Sequence, residues 1–487
     1  MALRLMIAGT MSSAGKSYIV TGLCRYYARM GYKVAPFKSQ NMALNSYVTV
    51  EGDEIGRAQA VQAYAAGVKA SKYMNPILLK PTTDMGSQVI VMGRVIGNMR
   101  AREYYQYKRT LIPIVMDAFD KLDRENDIII IEGAGSIAEI NLKSDDLVNM
   151  GLAQMVDAPV LLVGDIDPGG VFAQLAGSLS LIDEEERDRV KGVIINKFRG
   201  DPLLLKPGTD MLEKIIKKKV LGVVPMSKAA IEEEDSITSA FNNKDGSGNN
   251  LNIAVVRLPR ISNFTDFAPL QIIDGVNVRY VSKASELGKC DLIILPGSKN
   301  TISDLKWMKA NGLFDVIKGY SHDTPIMGIC GGYQMLGRTI SDPYGIEGET
   351  ESEIGLGLID METVLDKDKT LKGEETESIV DGAGGMLEPL NGLKIKGYEI
   401  HNGCSRQLDT NNSSYPKSIF GSYVHGIFEN KEFTNRLIHI LAAKKGIMTG
   451  NTPDYSSYKM QQMDIIADSL SEHLDMKEIW DIMNNKS

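Results

Sequence analysis

The sequence predicts an α/β protein of two doubly wound domains with mainly parallel sheets, and three observations carry that expectation. Short apolar runs, many of them β-branched, alternate with helical stretches along the 487 residues. That is the rhythm of strands covered by helices on both faces. A Gly- and Ser-rich loop, GTMSSAGKS at 9–17, follows the first apolar run directly. A polar stretch without periodicity, FNNKDGSGNN at 241–250, interrupts the rhythm before it resumes, and its composition reads as a linker.

Taken in order, strands are expected at 3–8, 33–36, 128–131, 160–163 and 193–195, then beyond the linker at 253–256, 292–295 and 326–329. A Gly- and Glu-rich region at 364–392 reads as a surface excursion within the second half. One core does not accommodate this length. The organisation expected is a first domain at 1–240, the linker at 241–250, a second domain at 251–445 and a C-terminal helical extension at 446–487.

Composition narrows the classes of function. The chain is 43% hydrophobic and 24% charged, with a formal net charge of -8 and no basic stripe, which argues against nucleic acid as a partner. Cys24, Cys290, Cys330 and Cys404 form no CxxC pair, so neither a disulfide framework nor a cysteine zinc site is expected, and a reducing cytoplasm is. The first apolar run meets the glycine loop at once and reads as a buried strand, not a signal peptide. No apolar run is long enough to span a membrane.

The loop at 9–17 lies between an expected strand and a helical stretch, the context a phosphate-binding loop requires. Gly9, Thr10, Ser13, Ala14 and Gly15 form the cradle, whose glycines let backbone N–H groups converge on phosphate oxygens. The helix N-terminus adds positive potential, Lys16 reaches the terminal phosphates, and Ser17 ligates magnesium. Glu132, at the tip of the run 128–131, points where α/β sheets bind ligands and is expected as a second magnesium ligand. Asp53 and Glu54, in GDEIGRAQA, read either as further magnesium candidates or as acids capping a helix. With five residues between its glycines, the loop resembles that of dethiobiotin-synthetase-like ATPases. Asn196, after the strand at 193–195, resembles their adenine-recognition position. The resemblance implies ATP and Mg²⁺.

In the second half, IMGICGGYQ at 326–334 puts Cys330 at a glycine-flanked turn from strand to helix. Such an elbow projects the sulfur above the sheet, and the helix N-terminus favours the thiolate. The N–H of Gly331, with Gly297 of the loop LPGS at 295–298, is placed for an oxyanion hole. The elbow resembles that of triad-type, class I glutamine amidotransferases, which implies L-glutamine as nitrogen donor. A cysteine nucleophile needs a base. His425, in GSYVHGIF at 421–428, matches the histidine motif of that family, while His401, in GYEIHNG, matches a signature of its corrin-amidating subgroup. The wider superfamily carries Glu two residues after the histidine; here that position is Ile427, and Glu429 lies four residues on. A Cys330/His425 dyad with the imidazole oriented by some other group is therefore expected, as in the cobyrinate-amidating branch.

Five strings in order, FKSQNMALNS at 37–46, EIGRAQ at 54–59, GDIDPGGVFA at 164–173, NKFRGD at 196–201 and RLPRISNFTD at 257–266, resemble the cobyric acid synthase family over nearly the whole chain. Pro168 and Ala268 depart from the family's usual Arg and Asp. The resemblance implies a P-loop ATPase-like domain joined to a class I amidotransferase-like domain, amidating the b, d, e and g carboxylates of adenosylcobyrinic acid a,c-diamide. Lys38, Gln40, Asn41, Arg57 and Gln59, with Lys80, are candidates to meet this polyanionic corrinoid, though each cation is equally readable as a solvated side chain. A homo-oligomer is left open. The rivals are an a,c-diamide synthase, which shares both domain types, and a ParA/MinD-like switch ATPase, which has no use for an elbow cysteine.

Overall fold

A computed structural model describes residues 1–83, 86–227, 229, 250–348, 350–408 and 418–485, so the expected linker lies outside it except for Asn250. All eight strands expected from the sequence are present. The first sheet runs Lys219–Pro225, Val190–Phe198, Val160–Asp165, Leu3–Gly9, Ile128–Glu132, Val34–Phe37, with every neighbouring pair parallel. Ile128–Glu132 is buried at all its positions, which only a strand covered on both faces can satisfy. The helix Lys16–Arg29 covers one face, turning Ile19, Val20, Leu23, Cys24 and Tyr27 inward along one stripe. Leu3–Gly9 lies between Val160–Asp165 and Ile128–Glu132, so the glycine loop opens at the C-terminal edge of the sheet, where such sheets bind ligands.

A second parallel sheet runs Val276–Val281, Leu251–Val256, Leu292–Leu295, Ile326–Ile329, Ile419–Ser422. Cys330 follows Ile326–Ile329 at that sheet's C-terminal edge.

The region 364–392 is not a surface excursion. Met361–Ile379 pairs antiparallel with Lys394–Gln407 in a mixed sheet completed by Glu351–Ile354, Thr339–Asp342 and Val424–His425. Partly buried Thr376 and Ser378 alternate with exposed Glu375, Glu377 and Ile379, so a half-buried strand hides behind a Glu-rich composition. Gly373 marks its buried side, because a Cβ there would stand 2.5 Å from the carbonyl oxygen of Thr49 in the N-terminal half. The N-terminal half also carries a smaller sheet, Gln40–Met42, Ile77–Thr83, Gly86–Val91, Arg94–Arg100, that the sequence did not suggest.

The chain ends by returning to its beginning. Tyr455–His473 packs on Lys16–Arg29, where a Cβ on Gly22 would come within 2.4 Å of Leu470 Cδ1, and Arg25 pairs with Asp464 at 2.8 Å. Trp480, in Met476–Met483, stacks obliquely against Tyr27 and Tyr32. Ile466, Leu470, Ile479 and Ile482 thus share one core with Leu5, Ile7 and Leu23.

Candidate active site

The phosphate loop is tightly wrapped. Ser13 and Gly15 take positive φ, 59° and 94°, and Gly15 ends the loop at the start of the helix Lys16–Arg29. A Cβ on Gly15 would stand 2.0 Å from Asn196 Nδ2, which donates to the Ala14 carbonyl at 3.0 Å. Lys197 Nζ likewise donates to the Ser13 carbonyl at 2.7 Å and pairs with Asp165. Thr10 Oγ1 meets Gln174 at 3.3 Å. Lys16 Nζ donates to the carbonyls of Met11 and Gly135, both at 3.0 Å, which holds the ammonium over the loop that Gly9 opens.

Ser17 Oγ donates to Glu132 Oε1 at 2.9 Å, so the two expected magnesium ligands are together. Glu132 also accepts from Lys38 Nζ at 2.8 Å and from Gln62 Nε2. Its burial opposes ionisation, but Lys38, Gln62 and Lys16 outweigh that and hold the carboxyl below its ordinary range. Asp53 does not join this group. Its carboxylate pairs with Lys72 at 3.1 Å and Arg94 at 3.4 Å, cations that neutralise it where it lies. It stands apart from the Ser17–Glu132 pair.

At the elbow, Cys330 has φ 51° and ψ −109°, a conformation costly for any residue with a Cβ. Its neighbours impose it: a Cβ on Gly332 would stand 2.0 Å from the Leu295 carbonyl oxygen, and one on Gly331 2.9 Å from the Ser298 nitrogen. The backbone segments of both expected oxyanion donors, Gly331 and Gly297, therefore abut beside the sulfur, and a Cβ on Gly297 would lie 3.3 Å from His425 Cε1. The Cys330 thiol donates to the Ile400 carbonyl at 3.3 Å.

His425 is buried at 1% exposure, and its ring stacks on that of Tyr398. Its Nδ1 lies 2.7 Å from Asp266 Oδ2, while Gly426 N–H donates to the other carboxylate oxygen at 3.0 Å. Asp266 is thus the other group that orients the imidazole of the expected Cys330/His425 pair, and the site is a Cys–His–Asp constellation. Glu429 faces elsewhere, pairing with Arg57 at 3.3 Å and Lys459 at 2.8 Å. Asp266 stands in the string RLPRISNFTD, but 159 residues before the histidine, and no local pattern links the two. Burial pushes His425 down, yet the Asp266 carboxylate and then Cys330 overcome it and hold its pKa at about 10. A protonated imidazole beside a cysteine is what nucleophilic attack by sulfur requires. His401 Nδ1 faces the Gly403 carbonyl at 3.1 Å and its ring stacks on Tyr423 at 3.7 Å, so it forms the wall of the site.

The cavity around Cys330 is about 40 Å³, and its wall includes Lys299 and Lys369 and, from the N-terminal half, Lys80. Lys80 and Lys369 close on the two oxygens of Glu54, at 3.0 and 2.6 Å. Burial raises the Glu54 carboxyl, but Lys369 and Lys80 bring it down to about 2. Burial and the repulsion of Lys369 and Lys80 push Lys299 down to about 7. Glu54 is therefore neither a metal ligand nor a helix cap but the joint between the halves.

Of the other candidates, Lys38 serves Glu132, and Gln40 accepts from the Tyr104 hydroxyl. Asn41 donates to Gln59 at 3.1 Å inside the core, and Arg57 lies over the Tyr47 ring while reaching Glu429. Asn41, Gln59 and Arg57 thus hold the fold and the joint, and their engagement counts against direct contact with substrate.

A family model described as a CobQ/CobB/MinD/ParA nucleotide binding domain matches residues 5–238, and one described as a CobB/CobQ-like glutamine amidotransferase domain matches residues 252–433. The cobyric acid synthase of Lachnoclostridium phytofermentans is 52% identical over 514 aligned positions, covering 99% of each chain. That of Caldanaerobacter subterraneus subsp. tengcongensis is 50% identical over 509, again covering 99% of each. The chain belongs to the cobyric acid synthase family. The cobyric acid synthase of Clostridium kluyveri is 46% identical over 504 positions, with the same coverage. Membership makes this chain an enzyme, a glutamine-hydrolysing amidotransferase, and removes the switch-ATPase rival. Among the described residues no helix is long and apolar enough to cross a membrane.

Proposed function

We propose that the enzyme uses ATP and glutamine to amidate the b, d, e and g carboxylates of adenosylcobyrinic acid a,c-diamide, giving adenosylcobyric acid in cobalamin biosynthesis, in the cytoplasm. The observation that carries this reading is the joint between the two centres: Lys80, from the half that holds the phosphate loop, lines the cavity of Cys330. A carboxylate is a poor acyl donor and ammonia is mostly protonated at neutral pH. Activation of the one and release of the other are best done side by side.

In this mechanism the Cys330 sulfur attacks the side-chain carbonyl carbon of glutamine. The oxyanion forms against the backbone of Gly331 and Gly297. His425, kept protonated by Asp266, gives its proton to the departing ammonia; it then takes one from the water that cleaves the glutamyl thioester, and glutamate leaves. In the other half an acceptor carboxylate oxygen attacks the γ-phosphorus of ATP and ADP leaves. Ammonia then displaces phosphate from the acyl phosphate. Lys16, held over the glycine loop, would offset the charge that develops on the phosphoryl oxygens. The Ser17 hydroxyl and Glu132 carboxylate are adjacent hard oxygen donors and fit Mg²⁺, which keeps few protein ligands beside phosphate and water. When bound, Mg²⁺ offsets phosphate charge.

The test is to give the purified enzyme ATP, Mg²⁺, glutamine and the a,c-diamide corrinoid and to follow the corrinoid mass. Four successive replacements of a carboxyl OH by NH2 are expected. Turnover of cobyrinic acid at the a and c positions instead would favour the diamide-synthase rival, and no change in any corrinoid would end the reading.

A further inference from the structure

One large cleft, lined in part by the segment 134–137 that follows the strand Ile128–Glu132, has no role in the chemistry described so far. It measures about 920 Å³, against about 40 Å³ at Cys330, near the upper end for small-molecule sites and far beyond the needs of glutamine or glutamate. Four large side chains that the structure leaves exposed converge on it from four separate segments. They are Met42 from Gln40–Met42, Tyr105 from Ala101–Lys108, Ile140 from the turn Ile140–Asp145, and Leu181 from Val171–Leu181. Apolar side chains scattered singly need no explanation, but a cluster lining one cavity does. Gly135 and Ser136 line it, and the Gly135 carbonyl is one of the two acceptors of Lys16 Nζ. One residue therefore borders both the cleft and the ammonium expected at the terminal phosphate.

We propose that this cleft holds the corrinoid macrocycle, its ring against Met42, Tyr105, Ile140 and Leu181 and one peripheral carboxylate at a time turned toward Lys16. The assignment rests on the function proposed above. Amidation at four positions requires the ring to present four edges in turn. A site built from directional polar contacts would favour one pose. This one leaves few polar groups uncommitted: Asp146 caps the N–H groups of Val148, Asn149 and Gly151, Lys143 pairs with Asp183 and Glu186, and Gln40 takes the Tyr104 hydroxyl. Lys108, at the same wall, adds a positive charge suited to a polycarboxylate. Apolar contact bears the ring in any rotation, and only the edge at Lys16 reacts.

The test uses the full chain and the a,c-diamide corrinoid, with affinity read by calorimetry. Ile140→Glu and Leu181→Glu place a charge on the cleft wall at positions 60% and 53% exposed, where folding is little affected. Each is expected to weaken binding at least tenfold and to raise KM for all four amidations by similar factors. Met448→Glu, at a position 95% exposed and outside the cleft, should bind as wild type. Binding by both cleft variants within twofold of a wild type that binds and amidates would overturn the cleft assignment alone. A KM rise confined to one amidation would overturn the rotating-ring account. A wild type that neither binds nor amidates any corrinoid would bring down the cleft and the proposed function together.

Discussion

Asp266→Asn is the sharpest probe of the amidotransferase centre. The carboxylate accepts on both oxygens, from His425 Nδ1 at 2.7 Å and from Gly426 N–H at 3.0 Å. An amide has one acceptor and one donor, so it cannot serve both. If its oxygen faces Gly426, its NH2 faces Nδ1 and forces the proton onto Nε2, where no base is left for water. If its oxygen faces Nδ1, its NH2 meets the Gly426 N–H and leaves it unsatisfied. The elevation of His425 from 6.5 to about 10 corresponds to roughly 5 kcal/mol favouring the imidazolium. Asp266 is the largest contributor among the groups that raise it, with Cys330 next. Losing about half of that stabilisation costs about 10²-fold in rate, and a wrong tautomer extends the loss toward ~10⁴, the scale known for such a change in a serine protease. A raised histidine keeps its proton up to the folded pKa and loses it as pH rises through that value. The wild-type imidazolium should thus persist to about pH 10, and in the variant the high-pH fall of glutamine kcat/KM should move down by several units. The assay is glutamate release by the full chain across pH, beside ATP-dependent amidation driven by ammonium, which should survive. A variant with glutaminase activity within threefold of wild type and an unmoved pH profile would refute the assignment of Asp266.

Cys330→Ala should abolish glutamine-driven amidation and leave the ammonium-driven reaction, read by corrinoid mass; loss of both, in a folded protein, would make the residue structural. Lys16→Ala should remove amidation from either nitrogen source while glutamate release persists, and ammonium-driven turnover in that variant would refute its phosphate role. Glu54→Gln should weaken the joint, because the depression from 4.5 to about 2 is worth roughly 3 kcal/mol. That contribution is fully present above about pH 4.5 and is lost as pH falls toward 2. The variant should therefore melt earlier than wild type at pH 7, with the gap closing as the solution is acidified between those values; a constant gap would count against the ion triad.

Much of the site was legible because it rests on short-range rules. The glycine loop before Lys16, the acid at the tip of 128–131 and the elbow at Cys330 are each set by a few neighbours, and the structure puts all three at sheet edges. The region 364–392 was misread because density of Gly and Glu concealed a two-residue alternation. The partners of the substrate candidates were not legible: Arg57, Asn41 and Gln59 are polar residues whose partners came only with folding.

Neighbouring residues alone set the nature of both reactions: a loop that cradles phosphate and a turn that exposes a thiol, conformations dictated by which positions lack a Cβ. Tertiary structure decided how each centre is tuned and joined. Asp266 meets His425 across 159 positions, and Lys369 meets Glu54 across 315. Such pairs depend on two surfaces being packed together with their charges buried, and burial makes a nearby charge count. No local pattern encodes that.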